Sequence, residues 1–299
     1  MNKVTVVDGV RIIRDIVYGQ GRVGMRTAPR DRALTLDMYA PDDAPKEEAR
    51  PALIMAFGGA FHRGDKWVDE FEQDGQRNTP VSEYCRRFAR RGYITFSIDY
   101  RLIPEDPDPG TTPVIADPQN IPLSRVEHVR NLMGLPPADA QMVWAGMEAA
   151  ADDMSTAFHF VQSAARALRI DPARIAVGGF SAGARTALGA CYGDKLPVVG
   201  VVSLSGYMGT HELERHVRAG EGLPPALFVC GESDLNYVAA QAPLMHAHFK
   251  ATAVGCESWQ VPGASHFYPA SSAAVRHDGK VSNIEAAMAD FLDRCTHGR

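Results

Sequence analysis

The sequence predicts an α/β fold: a mostly parallel central sheet with helices on both faces and a lid-like insertion. Three observations predict it. Short, continuous apolar runs of the kind buried on both faces alternate with segments of helical period. A helix between two strands returns the chain to the end of the sheet where it began, so the strands joined in this way run parallel. A glycine-framed serine, Gly179-Phe180-Ser181-Ala182-Gly183, stands where one such run gives way to a helix. Finally, the rhythm stops between residues 104 and 141, in a proline-rich stretch too long for an ordinary connection.

Each element has its own signal. Residues 10–18 and 34–39 read as strands, the second because Leu34, Leu36 and Met38 alternate with Thr35 and Asp37. No helix separates them, so they are expected to form an antiparallel edge. Residues 51–57 are a buried strand. Residues 81–91 have helical spacing and stop at Gly92. Residues 93–99 are a further strand, and 146–168 a long helix with Ala149, Met154, Ala157, Phe158 and Val161 on one side. The strand at 174–178 leads into the serine, and 182–192 continues as a helix. Strands follow at 198–204, 226–230 and 257–261, the last expected; helices are expected at 237–250 and 283–295. Within the insertion, 124–133 is a short helical candidate carrying Val126, Val129, Leu132 and Met133. Those recurring apolar residues favour an ordered cover over the carboxyl edge of the sheet, where open α/β folds bind ligands. The whole of 1–299 is expected to be one domain.

Bulk properties remove several classes of function. A net charge of −5 offers no basic footprint for nucleic acid. No run of about eighteen apolar residues exists to span a membrane. The start, Met1-Asn2-Lys3-Val4-Thr5, has no apolar core of a signal peptide. Five scattered cysteines without a C-x-x-C pair argue against structural zinc and against a redox dithiol. A reducing, cytoplasmic setting is the expectation, with a Cys256–Cys295 pairing left open. Neither cofactor nor metal is expected.

The serine motif is the sequence form of a nucleophile elbow, which needs a strand, a sharp turn and a helix. The motif's glycines, Gly179 and Gly183, frame the serine because side chains there would meet the adjoining strand and helix. A serine nucleophile needs a base, a group to orient that base, and donors for the oxyanion. In this architecture the acid and the histidine follow the serine along the chain. His266 lies just after the expected last strand, in Pro262-Gly263-Ala264-Ser265-His266-Phe267, and is the candidate base. Other histidines are less well placed: His211 and His216 precede the acid, His246 and His248 sit within a helix, and His297 is in the tail. Asp234, in Gly231-Glu232-Ser233-Asp234, is the candidate acid, with Glu232 its rival. Ala182 would supply one oxyanion donor. The loop Phe57-Gly58-Gly59-Ala60-Phe61 would supply others through Gly59 and Ala60, with Gly58 as a further option.

These motifs resemble those of α/β-hydrolase-fold carboxylesterases related to hormone-sensitive lipase. The resemblance runs from about Leu34 to the C-terminus and includes S-I-D-Y-R-L-I-P-E at 97–105. It implies the α/β-hydrolase fold, a Ser181–His266–Asp234 triad and hydrolysis of a small-molecule carboxylic ester through an acyl-enzyme. In these relatives the first glycine motif usually reads H-G-G-G. Here Phe57 replaces the histidine and Ala60 the third glycine.

The expected reaction is cleavage of esters with small to medium acyl or aryl groups. The alternatives on the same triad are an amidase, such as an aryl formamidase, or a peptidase. A non-catalytic ligand-binding homologue would be expected to have lost a triad member. Phe61, His62, Trp67, Tyr207 and Phe267 are the candidate substrate-binding residues. Apolar residues on the insertion or the last helix leave a homodimer open. Two further signals are set aside. Gly19-Gln20-Gly21-Arg22-Val23-Gly24 fits a dinucleotide fingerprint but opens no helix, and reads instead as a loop near the pocket. Ser205 precedes a glycine but lacks the full elbow.

Overall fold

The structure, a computed structural model, describes residues 4–42 and 49–298. Strands β1 (Val4–Val7), β2 (Val10–Val23) and β3 (Arg30–Pro41) precede β4 (Arg50–Ala56) and a two-stranded ribbon of β5 (Glu72–Gln73) and β6 (Gln76–Arg77). Helix α1 (Val81–Arg90) leads to β7 (Ile94–Ile98). Three helices follow: α2 (Ser124–Leu132), α3 (Ala140–Ser163) and α4 (Ala165–Leu168). Then β8 (Ile170–Phe180) runs into α5 (Ala182–Leu188), and β9 (Val201–Leu204) into α6 (Thr210–His216). The chain closes with β10 (Ala226–Gly231), α7 (Asn236–Ala251), β11 (Cys256–Val261), β12 (Ala273–Arg276), β13 (Val281–Asn283) and α8 (Ile284–His297).

One sheet holds all strands but β5 and β6, in the order β1-β2-β3-β7-β4-β8-β9-β10-β11-β12-β13. Its centre, from β7 through β11, is parallel, with an antiparallel margin at each side. The central strands are buried on both faces: every residue of β7 and β9 is buried, as is β4 from Pro51 onward. Helix α1 buries Val81, Tyr84, Cys85 and Phe88 at helical spacing, and Arg87 and Arg91 pair with Glu285 of α8. Helices α3 and α5 pack on each other and on the strands around β8. The carboxyl ends of β4, β8, β10 and β11 therefore open side by side, and the loops leaving them share one edge.

Several elements depart from the sequence expectation. The glycine signature at 19–24 is not a loop. Residues up to Val23 belong to β2 and pair with β3 from Arg30 onward. Its glycines leave room for neighbours, since a Cβ on Gly19 would lie 2.6 Å from Thr156 and one on Gly21 2.5 Å from Arg101. Strand β11 is not the last, because β12 and β13 add an antiparallel hairpin beside it. Helix α3 starts six residues before the expected 146, where the Asp139 carboxylate caps the Met142 N–H at 2.7 Å. The expected helix at 182–192 is α-helical only to Leu188, then widens into a π turn over Gly189–Gly193.

The 104–141 segment lies on α3. Buried Glu148 of α3 accepts the N–H groups of Val114 and Ile115 at 2.8 and 2.9 Å, which satisfies both donors and the carboxylate. Val126 and Val129 of α2 are buried beneath it. All five cysteines are free, Cys256 and Cys295 included. Among the described residues no helix is long and apolar enough to cross a membrane.

Candidate active site

Ser181 sits in the turn between β8 and α5 with φ 53° and ψ −115°. A non-glycine residue in that region costs about 1–3 kcal/mol, so the surroundings must impose it. They do so through close packing. A Cβ on Gly183 would lie 2.0 Å from the Ala56 carbonyl oxygen, and one on Gly179 would lie 2.3 Å from Gly183. The Ser181 N–H donates to the Leu204 carbonyl at 2.7 Å. Strand, turn and helix are thereby locked, and the hydroxyl is carried above the sheet edge.

His266 follows β11, and its Nε2 lies 2.7 Å from Ser181 Oγ. Its Nδ1 lies 2.6 Å from Asp234 Oδ1. An ionised carboxylate only accepts, so Nδ1 carries the proton and Nε2 is left to accept from the serine hydroxyl. The ring packs against both Phe180 and Phe267, with centroids 5.5 and 5.2 Å away. Gln76 of the β5–β6 ribbon accepts from Ser265 N–H at 2.8 Å and donates to Gly263 O at 3.1 Å, which pins the histidine loop.

Asp234 lies beyond β10 and is buried. Its Oδ2 accepts from Ser205 Oγ at 2.6 Å and from Gly231 N–H at 3.0 Å, while Oδ1 also takes Leu235 N–H at 2.8 Å. Burial alone would raise its pKa. The His266 bond and charge, with the Ser205 and Gly231 donors, outweigh that and hold it below the ordinary carboxylate value. The rival acid, Glu232, is turned away and accepts the Gly263 N–H at 2.7 Å.

The glycine loop after β4 runs through three left-handed residues, Gly59 (φ 115°), Ala60 (57°) and Phe61 (59°). Its carbonyls fold back: Gly59 O accepts from His62 and Arg63, and Ala60 O takes a bond from His62 Nδ1 at 2.7 Å. Among the described residues, no protein group accepts from the N–H of Gly59, Ala60 or Ala182. Phe57 stacks on Tyr100 at 4.4 Å, and the Tyr100 hydroxyl donates to Phe57 O at 2.8 Å. These contacts anchor the loop and leave its backbone donors untouched.

A pocket of about 40 Å³ opens on Ser181 and Ala182. Phe61 and Tyr207 line it; three other expected contacts do not. Trp67 is held outside, with the Arg14 guanidinium 3.2 Å from its ring centroid. His62 is buried in its loop, donating to Ala60 O and accepting from Arg130 at 3.0 Å; burial holds its pKa below the ordinary value. Phe267 backs the His266 ring and lines a different cavity. In their place the pocket has Tyr237, Met147 of α3, and Ile121, Pro122 and Arg125 from the insertion. Ser205 also reaches it, with φ 53° at the end of β9 and its hydroxyl between Asp234 and Tyr268. Its sequence signal was the Leu204-Ser205-Gly206 strand end; its role is to serve the carboxylate. Among the described residues no cluster of three or more His, Cys, Asp or Glu side chains is placed to hold a metal ion.

The parallel sheet, the strained serine turn and the order of serine, acid and histidine after β8, β10 and β11 identify the architecture. The fold is that of an α/β-hydrolase. Residues 141–271 match the phospholipase/carboxylesterase family. Among solved structures, apo Thermogutta terrifontis esterase 2 is 20% identical over 97% of this chain and 93% of its own, with a TM-score of 0.54. The same esterase phosphorylated by paraoxon is 19% identical over 96% and 92%, with a TM-score of 0.56. Its propionate-bound form is 20% identical over 87% and 85%, with a TM-score of 0.54. No curated protein sequence matches the chain.

Proposed function

We propose that the protein is a serine hydrolase of carboxylic esters that works through an acyl-enzyme. One observation carries the reading: the unbroken hydrogen-bond chain from Ser181 through His266 to Asp234. Ser181 Oγ attacks the ester carbonyl as His266 Nε2 takes its proton. Asp234 fixes the tautomer of His266 and stabilises the imidazolium, without taking a proton itself. The oxyanion faces the N–H of Ala182 and those of Gly59 and Ala60, the donors left without protein acceptors. His266 then gives its proton to the departing alcohol. Water, deprotonated by the same nitrogen, releases the acid and restores Ser181.

The similarity to an esterase with propionate and butyrate forms supports short acyl groups, as does the narrow pocket. The kinship with hormone-sensitive-lipase-type enzymes rests on the motifs at 57–61 and 97–105. The chain acts as one domain, with 104–141 as the cover of the pocket. Five free thiols suit a reducing, cytoplasmic setting. Turnover of p-nitrophenyl esters tests the reading: Ser181→Ala should lower kcat/KM by at least about 10⁴-fold. A variant with wild-type rates would overturn it. Rates on an ester and an anilide with the same acyl group decide between ester and amide chemistry.

A further inference from the structure

The charges of the pocket do not balance. Two arginines, Arg125 and Arg185, line it, and neither an aspartate nor a glutamate does. Arg185 is buried and paired with Glu212, which also caps Gly209 N–H, so its charge is met from behind the pocket wall. Arg125 is different. It stands on α2, is only 8% exposed, and forms no ion pair among the described residues. Its one hydrogen bond is from an Nη to Gln73 Oε1 at 2.6 Å, and its guanidinium lies 5.3 Å from the Phe267 ring centroid.

A guanidinium stays charged in a protein and has five N–H donors, of which four remain without a protein partner here. Neither Nε nor the second Nη is among the sealed, unpartnered side-chain nitrogens and oxygens, and Arg125 is part of the pocket wall. The neighbouring polar groups do not compensate. Tyr207 and Tyr237 stand edge to face at 5.0 Å, and among the described residues neither hydroxyl donates to a protein acceptor. Burial pushes the Arg125 pKa down and Arg63 nearby adds to that push, which Tyr237 and Asp234 oppose without reversing it. A cavity lined by cationic and hydroxyl donors, with no carboxylate in its wall, is complementary to an anion.

We infer that the substrate is an ester bearing a carboxylate, with Arg125 as its counter-ion beside Ser181. This rests on the hydrolase reading and names the substrate class for the same site. The carboxylate can belong to the acyl part, as in a dicarboxylic monoester, or to the alcohol part, as in an acylated hydroxy acid. The chemistry of recognition is the same in both.

Two matched pairs of esters test it. Monomethyl succinate and methyl pentanoate differ in a charge on the acyl side; γ-acetoxybutyrate and pentyl acetate differ on the alcohol side. In at least one pair the wild type should favour the anion in kcat/KM by about 10- to 100-fold, the value of a charged hydrogen bond. Arg125→Gln should erase most of that ratio, chiefly through KM, while Arg125→Lys keeps part of it. Rising salt should lower the ratio in the wild type. A purely structural Arg125, latching α2 to the β5–β6 ribbon through Gln73, would move charged and neutral substrates together. That result, or a wild-type ratio of one or less in both pairs, overturns the inference. Calorimetry with Ser181→Ala keeps the two readings apart. Tighter binding of the anionic member that depends on Arg125 upholds the anion site even if no ester turns over, and equal binding removes it even in an active esterase.

Discussion

The sheet-end loops and the 104–141 insertion meet across one pocket and are built in opposite ways. On the sheet side the side chains of Ser181, His266 and Asp234 are closed among themselves. The Asp234 carboxylate alone receives bonds from His266, Ser205, Gly231 and Leu235. On the insertion side Arg125 has the single partner Gln73. A closed network in a water-poor site holds its geometry before substrate arrives, which is what proton transfer requires. An open guanidinium contributes little order of its own and is completed by what binds. In the proposed reaction the chemistry would belong to the sheet, and recognition to the segment laid over it.

Substitutions on the closed side should have the largest effects. Asp234→Asn keeps the shape but forces the wrong histidine tautomer, so kcat is expected to fall by about 10³- to 10⁴-fold with little change in stability. Steady-state kinetics beside a thermal melt would separate the two. Gly231→Ala breaks the same network by sterics. Its Cβ would lie 1.9 Å from the Ser265 carbonyl oxygen, driving the histidine loop away from Asp234. A loss of about 2–4 kcal/mol in urea unfolding is expected, together with lost turnover. Unchanged stability would mean that the two loops are not wedged as the distances imply.

Smaller effects probe the edges of the comparison. Ser205→Ala removes one donor to Asp234 and should lower kcat by roughly 10-fold, the worth of one hydrogen bond to a charged group. An unaffected rate would show that Gly231 and Leu235 suffice to hold the carboxylate. The β4–α1 connection, which supplies Gln73 to one side and Gln76 to the other, is tethered by Asp69. That carboxylate is buried and accepts the Val81 N–H at the start of α1. Burial pushes its pKa up to about 7 from an ordinary 3.8, against the pull of that N–H. The native state therefore holds a proton that the unfolded chain has shed across that window. Stability should decline as pH rises from 3.8 to about 7 and then level off. Asp69→Asn should flatten this decline, read as urea midpoints across pH. An unchanged slope would assign it to other groups.

Much of the sheet side was legible in the sequence, because local signals and global structure agree there. The apolar runs ending in Gly-x-Ser-x-Gly, Gly-Glu-Ser-Asp and Gly-Ala-Ser-His each mark a strand that stops at the same edge. Choosing Asp234 over Glu232 turned on two residues of spacing, and only the three-dimensional turn shows Glu232 directed at Gly263. The pocket wall was less legible, since it depends on contacts remote in sequence. Trp67 looks like an aromatic pocket residue until Arg14, from β2, is found on its face. Gly19 and Gly21 look like a phosphate loop until Thr156 and Arg101 fill the space beside them. The hairpin of β12 and β13 has too few residues to show a period. Arg125 carried no signal at all, because an arginine on a short polar helix is ordinarily solvated.

The central claim is that Ser181 is the activated nucleophile of this constellation. Intact-protein mass after exposure to a fluorophosphonate, for the wild type and Ser181→Ala, tests it most directly. The account expects one adduct per wild-type chain, mapped to Ser181, and none in the variant. An unmodified wild type, or an adduct that survives the substitution, would contradict it.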